Sequence, residues 1–222
     1  MAVMFLSLQT SAQNIAWVRK SAPVQRETYA VAFSHDGKKV FSGSECGPTY
    51  LRIFDAYNGD QLWQSQVDSP LMCAQGVKFN SNGSKVATLE ELGNLLVYDF
   101  TTNPPTLLST LSLGTTYSFA LAFSPDGNKI ATACSQKKLL IHNANTGSQV
   151  HTIDAHLNWT TGVDWSSKEQ IATCGDDQLV KLWDSAGNFI RTMSGHSGSV
   201  SCVKFTPDGN YVLSGGKDNK IK

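Results

Sequence analysis

Net charge is the first thing this chain lacks. Its 18 Lys and Arg residues are balanced by 18 Asp and Glu residues. A neutral chain carries no general electrostatic footprint for nucleic acid or an anionic membrane. No basic run is longer than a pair such as Lys137-Lys138, and Arg26, Arg52 and Arg191 stand apart, so an Arg-rich lipid pocket is not expected. No apolar run approaches the roughly 20 residues that cross a bilayer. Met1 to Leu8 is apolar but has no basic n-region and no small-residue cleavage site, which argues against a signal peptide. Cys46, Cys73, Cys134, Cys174 and Cys202 form no CxxC pair and are odd in number. They read as reduced, buried, structural thiols of an intracellular protein, cytoplasmic or nuclear. In that setting the sequons at Asn82 and Asn158 are chance matches. His35, His142, His151, His156 and His196 show no metal-ligand spacing, so neither a metal nor another cofactor is expected.

What the chain has is repetition. Phe33-Ser34-His35-Asp36-Gly37, Phe79-Asn80-Ser81-Asn82-Gly83, Phe123-Ser124-Pro125-Asp126-Gly127 and Phe205-Thr206-Pro207-Asp208-Gly209 are variants of one turn. A degenerate copy, Trp165-Ser166-Ser167-Lys168-Glu169, lies between the last two. The aromatic anchors at 33, 79, 123, 165 and 205 are spaced by 46, 44, 42 and 40 residues. A period of about 40–45 residues with short β-rich segments predicts radially arranged four-stranded sheets.

Residues 158–194 show the unit most clearly. TTGVDW (160–165) reads as strand A, QIATC (170–174) as strand B, LVKLW (179–183) as strand C and FIRTM (189–193) as strand D. Each is a short run rich in β-branched and aromatic residues, bounded by Gly, Asp, Asn or Ser. The A–B turn has its own chemistry. In Ser124-Pro125-Asp126-Gly127, Pro presets φ at the second position, and Ser and Gly suit the first and last.

With Trp183-Asp184 closing strand C, Gly195-His196 before the last repeat and the recurrent Phe-Ser-Pro-Asp-Gly turn, the chain resembles a WD-repeat β-propeller. The resemblance covers residues 27–222, with weaker Trp-Asp equivalents at Phe54-Asp55, Tyr98-Asp99 and His142-Asn143. It implies an all-β propeller of four-stranded antiparallel blades at 29–68, 72–112, 117–154 and 158–194, with a partial blade at 198–222. Residues 1–28 read as a partial blade, Val3 to Leu8 and Asn14 to Val18 forming its strands. Two readings stay open: a section of a longer chain such as a seven-bladed ring, which is preferred, and closure of the termini into five blades.

The resemblance also implies a structural tetrad of His, Ser/Thr, Asp and Trp. Repeat four supplies His156, Thr173, Asp177 and Trp183, and the last repeat supplies His196, Ser214 and Asp218. In isolation such a trio invites a hydrolase reading. That reading fails on two counts: the hydroxyl would sit mid-strand, and no oxyanion glycine motif precedes it. Repeats one to three lack the Asp, with Pro48, Leu92 and Gln136 in its place, and should be the softer blades.

The expected function is a non-catalytic scaffold that binds a protein or peptide on its loop face. A propeller-scaffold enzyme and a lipid-binding propeller are the alternatives. The positions leading into strand A are Glu27, Cys73, Tyr117, Trp159 and Ser199. Trp159 and Tyr117 are the candidate anchors, with Glu27 and Ser199 beside them. Glu90 and Asp176, with Glu45 and Glu91, give the same face an acidic tilt, which favours a basic peptide as partner.

Overall fold

Runs of four to seven strand-forming residues separated by tight Asp, Asn and Gly turns can pair only with their immediate neighbours, and they do so here. The computed structural model describes residues 28–34, 36–44, 51–65, 74–90, 93–114 and 117–222. The expectations for residues 1–27, and those for His35, Glu45, Cys46, Pro48, Cys73, Glu91 and Leu92, lie outside the described residues.

All regular structure among the described residues is β-strand. The first antiparallel meander is β1 (Thr28–Phe33), β2 (Lys39–Ser44), β3 (Leu51–Asp55) and β4 (Gln61–Gln64). The second is β5 (Ala74–Phe79), β6 (Lys85–Glu90), β7 (Asn94–Asp99) and β8 (Thr106–Ser112). The third is β9 (Ser118–Phe123), β10 (Lys129–Cys134), β11 (Lys138–Asn143) and β12 (Gln149–Asp154). The fourth is β13 (Thr160–Trp165), β14 (Gln170–Gly175), β15 (Val180–Asp184) and β16 (Phe189–Met193). A two-stranded sheet follows, β17 (Val200–Phe205) with β18 (Val212–Gly216), and Ile221 forms a single bridge to Gly215. Each first strand packs on the first strand of the next sheet, β1 on β5, β5 on β9, β9 on β13 and β13 on β17. This is a propeller whose sheets do not close into a ring among the described residues.

The core lies between sheets. Phe41, Leu51 and Ile53 of the first meander meet Val77, Val86 and Tyr98 of the second. Leu95, Leu121 and Ile130 join the second to the third, Ile141, Val163 and Ile171 the third to the fourth, and Leu182, Val200 and Val203 the fourth to the last. Burying one such side chain stabilises by about 1.5–3 kcal/mol, and each of these residues depends on the adjacent blade for that burial.

The A–B turns share one geometry. Ser34 Oγ donates to Asp36 Oδ1 at 2.6 Å, Ser124 Oγ to Asp126 Oδ1 at 2.5 Å and Thr206 Oγ1 to Asp208 Oδ1 at 2.5 Å. These hydroxyl bonds hold the three carboxyls below their ordinary range, Asp208 at about 2. The closing glycines Gly37, Gly83, Gly127 and Gly209 have φ between 67° and 71°. In the degenerate copy Glu169 occupies the same position with φ 60°, and its amide donates to Ser166 O at 3.2 Å. The turn therefore survives without its glycine, and Glu169 bears the strain of a left-handed backbone.

Candidate interaction surface and the scaffold beneath it

The loop face is built on the fourth blade. The Trp183 indole N–H donates to Thr173 Oγ1 at 2.9 Å, and Thr173 Oγ1 lies 2.9 Å from His156 Nε2. His156 Nδ1 lies 2.8 Å from Asp177 Oδ1, and Asp177 Oδ2 accepts the Leu157 amide at 3.0 Å. Donor logic fixes the protons. Indole can only donate, so the hydroxyl accepts there and gives its own proton to Nε2. The imidazole is then neutral, with its proton on Nδ1 facing the carboxylate. Burial pushes the His156 pKa down, in keeping with that neutral form, although Asp177 opposes the shift. The chain joins the loop before β13 to strands β14 and β15.

The last repeat brings its three residues together in the same way. His196 Nε2 lies 2.9 Å from Ser214 Oγ, and Nδ1 lies 2.9 Å from Asp218 Oδ1. Burial pushes the Asp218 carboxyl up, but hydrogen bonds from His196 and from the Ser197 and Lys220 amides outweigh it and hold the group at about 2. Both constellations need a glycine beside the ring. A Cβ on Gly175 would stand 2.8 Å from His156 Cγ, and one on Gly216 would stand 2.7 Å from His196 Nδ1. Real Cβ atoms do not approach that closely, so these positions exclude a side chain.

Blades two and three keep the hydroxyl and lose its partners. Thr88 and Thr132 occupy the Thr173 position of their strands, are fully buried, and their Oγ1 atoms have no hydrogen-bond partner. In blade three the residue at the Trp183 position is His142, which pairs with Ile130 as Trp183 pairs with Ile171. Its ring is shorter than an indole, and its own Nδ1 is also buried and unpartnered. A buried hydroxyl without a partner costs about 1–3 kcal/mol. Thr132→Val keeps the β-branched shape and removes the orphan. It is expected to raise the chain's unfolding free energy by about 1 kcal/mol in a denaturant melt, and a lower midpoint would show that the hydroxyl is satisfied.

On this scaffold sits an exposed aromatic pair. Trp159, just before β13, stacks on Phe119 of β9 with ring centroids 5.7 Å apart and planes 28° apart. Trp159 is 44% exposed, Phe119 38% and Tyr117 51%, and Tyr117 lies two residues before Phe119. Sequence reasoning picked out Trp159 and Tyr117 and missed Phe119, which shows as an aromatic at an alternate position of strand A. Asp176 and Ser199 are brought together, the Ser199 hydroxyl donating to Asp176 Oδ1, and the Asp176 amide donates to Trp159 O at 3.0 Å. Glu90 is 1% exposed and accepts from Asn94 Nδ2 at 3.3 Å, so its carboxylate is turned into the fold. Of the thiols, Cys134 and Cys174 are buried, and burial pushes Cys174 up to about 12. Cys202 departs from expectation: it is exposed, because its place on β17 faces open space beside the first strands.

The comparisons with known proteins agree with this architecture. Residues 147–184 and 187–222 match the family described as WD domain, G-beta repeat. Each match begins near the fourth strand of one sheet and ends near the third strand of the next, so one sequence repeat spans two sheets. Nuclear distribution protein nudF of Aspergillus flavus is 30% identical over 107 residues, which is 46% of this chain and 24% of that protein. DDB1- and CUL4-associated factor 10 of Homo sapiens is 26% identical over 106 residues, covering 46% of this chain and 19% of that protein. Intraflagellar transport protein 80 homolog of Mus musculus is 25% identical over 206 residues, covering 91% of this chain and 24% of that protein. The chain thus spans about a quarter of the length of the curated relatives it matches. The repeated turn, the four-stranded meanders and these matches together show WD repeats over residues 147–222, in a chain whose sheets are built as propeller blades.

Proposed function

We propose that the chain is a non-catalytic protein-interaction module that presents its D–A loop face to a protein or peptide. The observation that carries this reading is the solvent-exposed Trp159–Phe119 stack, held on a blade whose loop is fixed by a four-residue hydrogen-bond chain. Large aromatics on a rigid platform lose little conformational freedom on binding and make effective anchors. Asp176 beside them favours a basic segment in the partner. The relatives are named for association and transport, in keeping with work done in assemblies. The Ser/Thr, His and Asp trio is unsuited to hydrolysis, because Thr173 is fully buried and Ser214 is 7% exposed. A cytoplasmic or nuclear setting fits the free thiols, and no helix among the described residues is long and apolar enough to cross a membrane.

The test is affinity capture from cell extract with the wild-type chain, Trp159→Ala and a control, Tyr57→Ala, at a residue 85% exposed on a turn of the first blade. The expected result is a set of proteins retained by wild type and by Tyr57→Ala and lost with Trp159→Ala, at equal melting temperatures. Identical captures by all three chains would remove the loop face from consideration.

A further inference from the structure

At the A–B turn end of the first strands, along the channel that they line opposite the loop face, three charged residues gather. Lys78, Asp164 and Lys204 each stand one residue before an aromatic anchor, Phe79, Trp165 and Phe205. The first strands bring this level of β5, β13 and β17 to one cavity of about 280 Å³, lined by all three charged residues with Leu121, Ala122 and Trp165. The remaining blades place Ala32 and Ala122 at the same position. A second cavity, of about 380 Å³, runs on along the strands and shares Lys78, Leu121 and Lys204 with the first.

The hydrogen bonds sort these groups. Lys204 Nζ donates to Asp164 Oδ1, and Asp164 Oδ2 accepts the Phe205 amide at 2.8 Å. The carboxylate is therefore satisfied. Lys78 has no acceptor among the described residues, and its side chain is exposed to the cavity. Partial burial, and then the neighbouring Lys204, hold its pKa below the ordinary lysine value, with Asp164 opposing the shift. Lys78 is thus an exposed ammonium with no acceptor among the described residues, set beside a second ammonium at an apolar-lined cavity, and it is open to a counter-ion.

The donor inventory selects the kind of anion. The rim hydroxyls are occupied: Ser81 donates to Pro125 O at 2.6 Å, Ser124 to Asp126 and Ser167 to Pro207 O at 3.1 Å. Two ammonium groups and one carboxylate leave a local charge of one. That matches a monoanionic carboxylate, whereas a phosphate would bring more charge and call for more donors than are free. The apolar walls suit a side chain that arrives on a peptide.

We infer that the A–B turn end of the channel is an anion site, in which Lys78, with Lys204 beside it, receives a carboxylate from an acidic segment of a partner protein. It lies at the opposite end of strand A from Trp159, about 16 Å away for a strand of this length. It stands or falls independently of the loop-face reading.

The test uses the full 222-residue chain and a fluorescein-labelled Gly-Glu-Gly-Glu-Gly-Glu peptide, followed by anisotropy at low salt. Comparisons are the same peptide with Gln for Glu, and competition by inorganic phosphate. The expected result is binding of the Glu peptide, about tenfold weakening by Lys78→Met, retention by Lys78→Arg and by the turn variant Tyr57→Ala, and poor binding of the Gln peptide. Lys78→Met keeps the apolar stem, and an unchanged thermal melt shows that the loss belongs to the site. Equal binding by wild type and Lys78→Met, equal binding of the Gln peptide, or loss with Tyr57→Ala would each overturn the inference. Phosphate that competes more strongly than free acetate would overturn the carboxylate assignment.

Discussion

Asp177→Ala is expected to destabilise the chain by about 1–3 kcal/mol, the largest loss predicted for any single loop residue. The variant strands His156 Nδ1–H, which is fully enclosed, and frees two amides: that of Leu157, whose residue is 80% exposed and can turn to water, and that of Leu179, whose bond to Asp177 Oδ1 is long at 3.3 Å. The cost therefore falls on the imidazole. With Asp177 gone, the ring has no reason to keep its proton on Nδ1. The alternative tautomer would turn an N–H toward Thr173 Oγ1, which already holds the indole donor. The damage should spread along the hydrogen-bond chain to Trp183. In a chain of this size each kcal/mol moves the melting temperature by about 2–4 °C. Asp176→Ala, one residue away, contacts Ser199 and not the ring, and serves as the control. Equal melting temperatures for wild type and Asp177→Ala would mean that the four residues touch without supporting one another.

The second large effect is acid sensitivity set by His142. This imidazole is 1% exposed, and burial holds its pKa at about 4 against an ordinary 6.5. The unfolded chain binds the proton more readily than the folded one, so stability is complete above pH 6.5 and declines as the pH falls toward 4. The full difference corresponds to about 3 kcal/mol, and allowing for solvent relaxation leaves about 2 kcal/mol. His156 is shifted in the same direction and adds to the decline, so the diagnostic is a comparison. Phe54 and Tyr98 hold the position of His142 in the first two blades, pairing with Val40 and Val86. His142→Phe should fit, remove the unpartnered Nδ1, and flatten the stability profile between pH 6.5 and 4. The turn carboxylates are held low and lose their protons below that window, so they do not mask it. Parallel profiles for the two chains would show that His142 takes up no proton penalty on folding.

Much of the architecture was readable because one turn recurs at five places, four of them with the closing glycine and three with the hydroxyl-to-carboxylate bond. Phe-Ser-Pro-Asp-Gly encodes an anchor, a hydroxyl-to-carboxylate bond and a left-handed glycine, all local in sequence. The degenerate copy was legible only through its spacing, since Glu169 adopts the glycine conformation without being a glycine. Trp159 stood out as a large aromatic on a loop. Phe119 did not, because strand alternation alone cannot say whether an aromatic turns into the sheet interface or toward the channel. Glu90 reads as a loop-face acid and is buried, since it ends a strand whose last residues are all enclosed. The Lys78, Asp164 and Lys204 cluster is invisible to any local reading. Those residues lie 86 and 40 positions apart in sequence, and only the stacking of first strands brings them together.

That stacking has a consequence for cooperativity. Each blade packs on its neighbours, so the chain is a row of four couplings, and a defect in one blade is felt mainly by the next. Lys78 belongs to the second blade and Lys204 to the fifth. A segment gripped by both would span blades that share no core, cross-bracing the row and making distant blades unfold together.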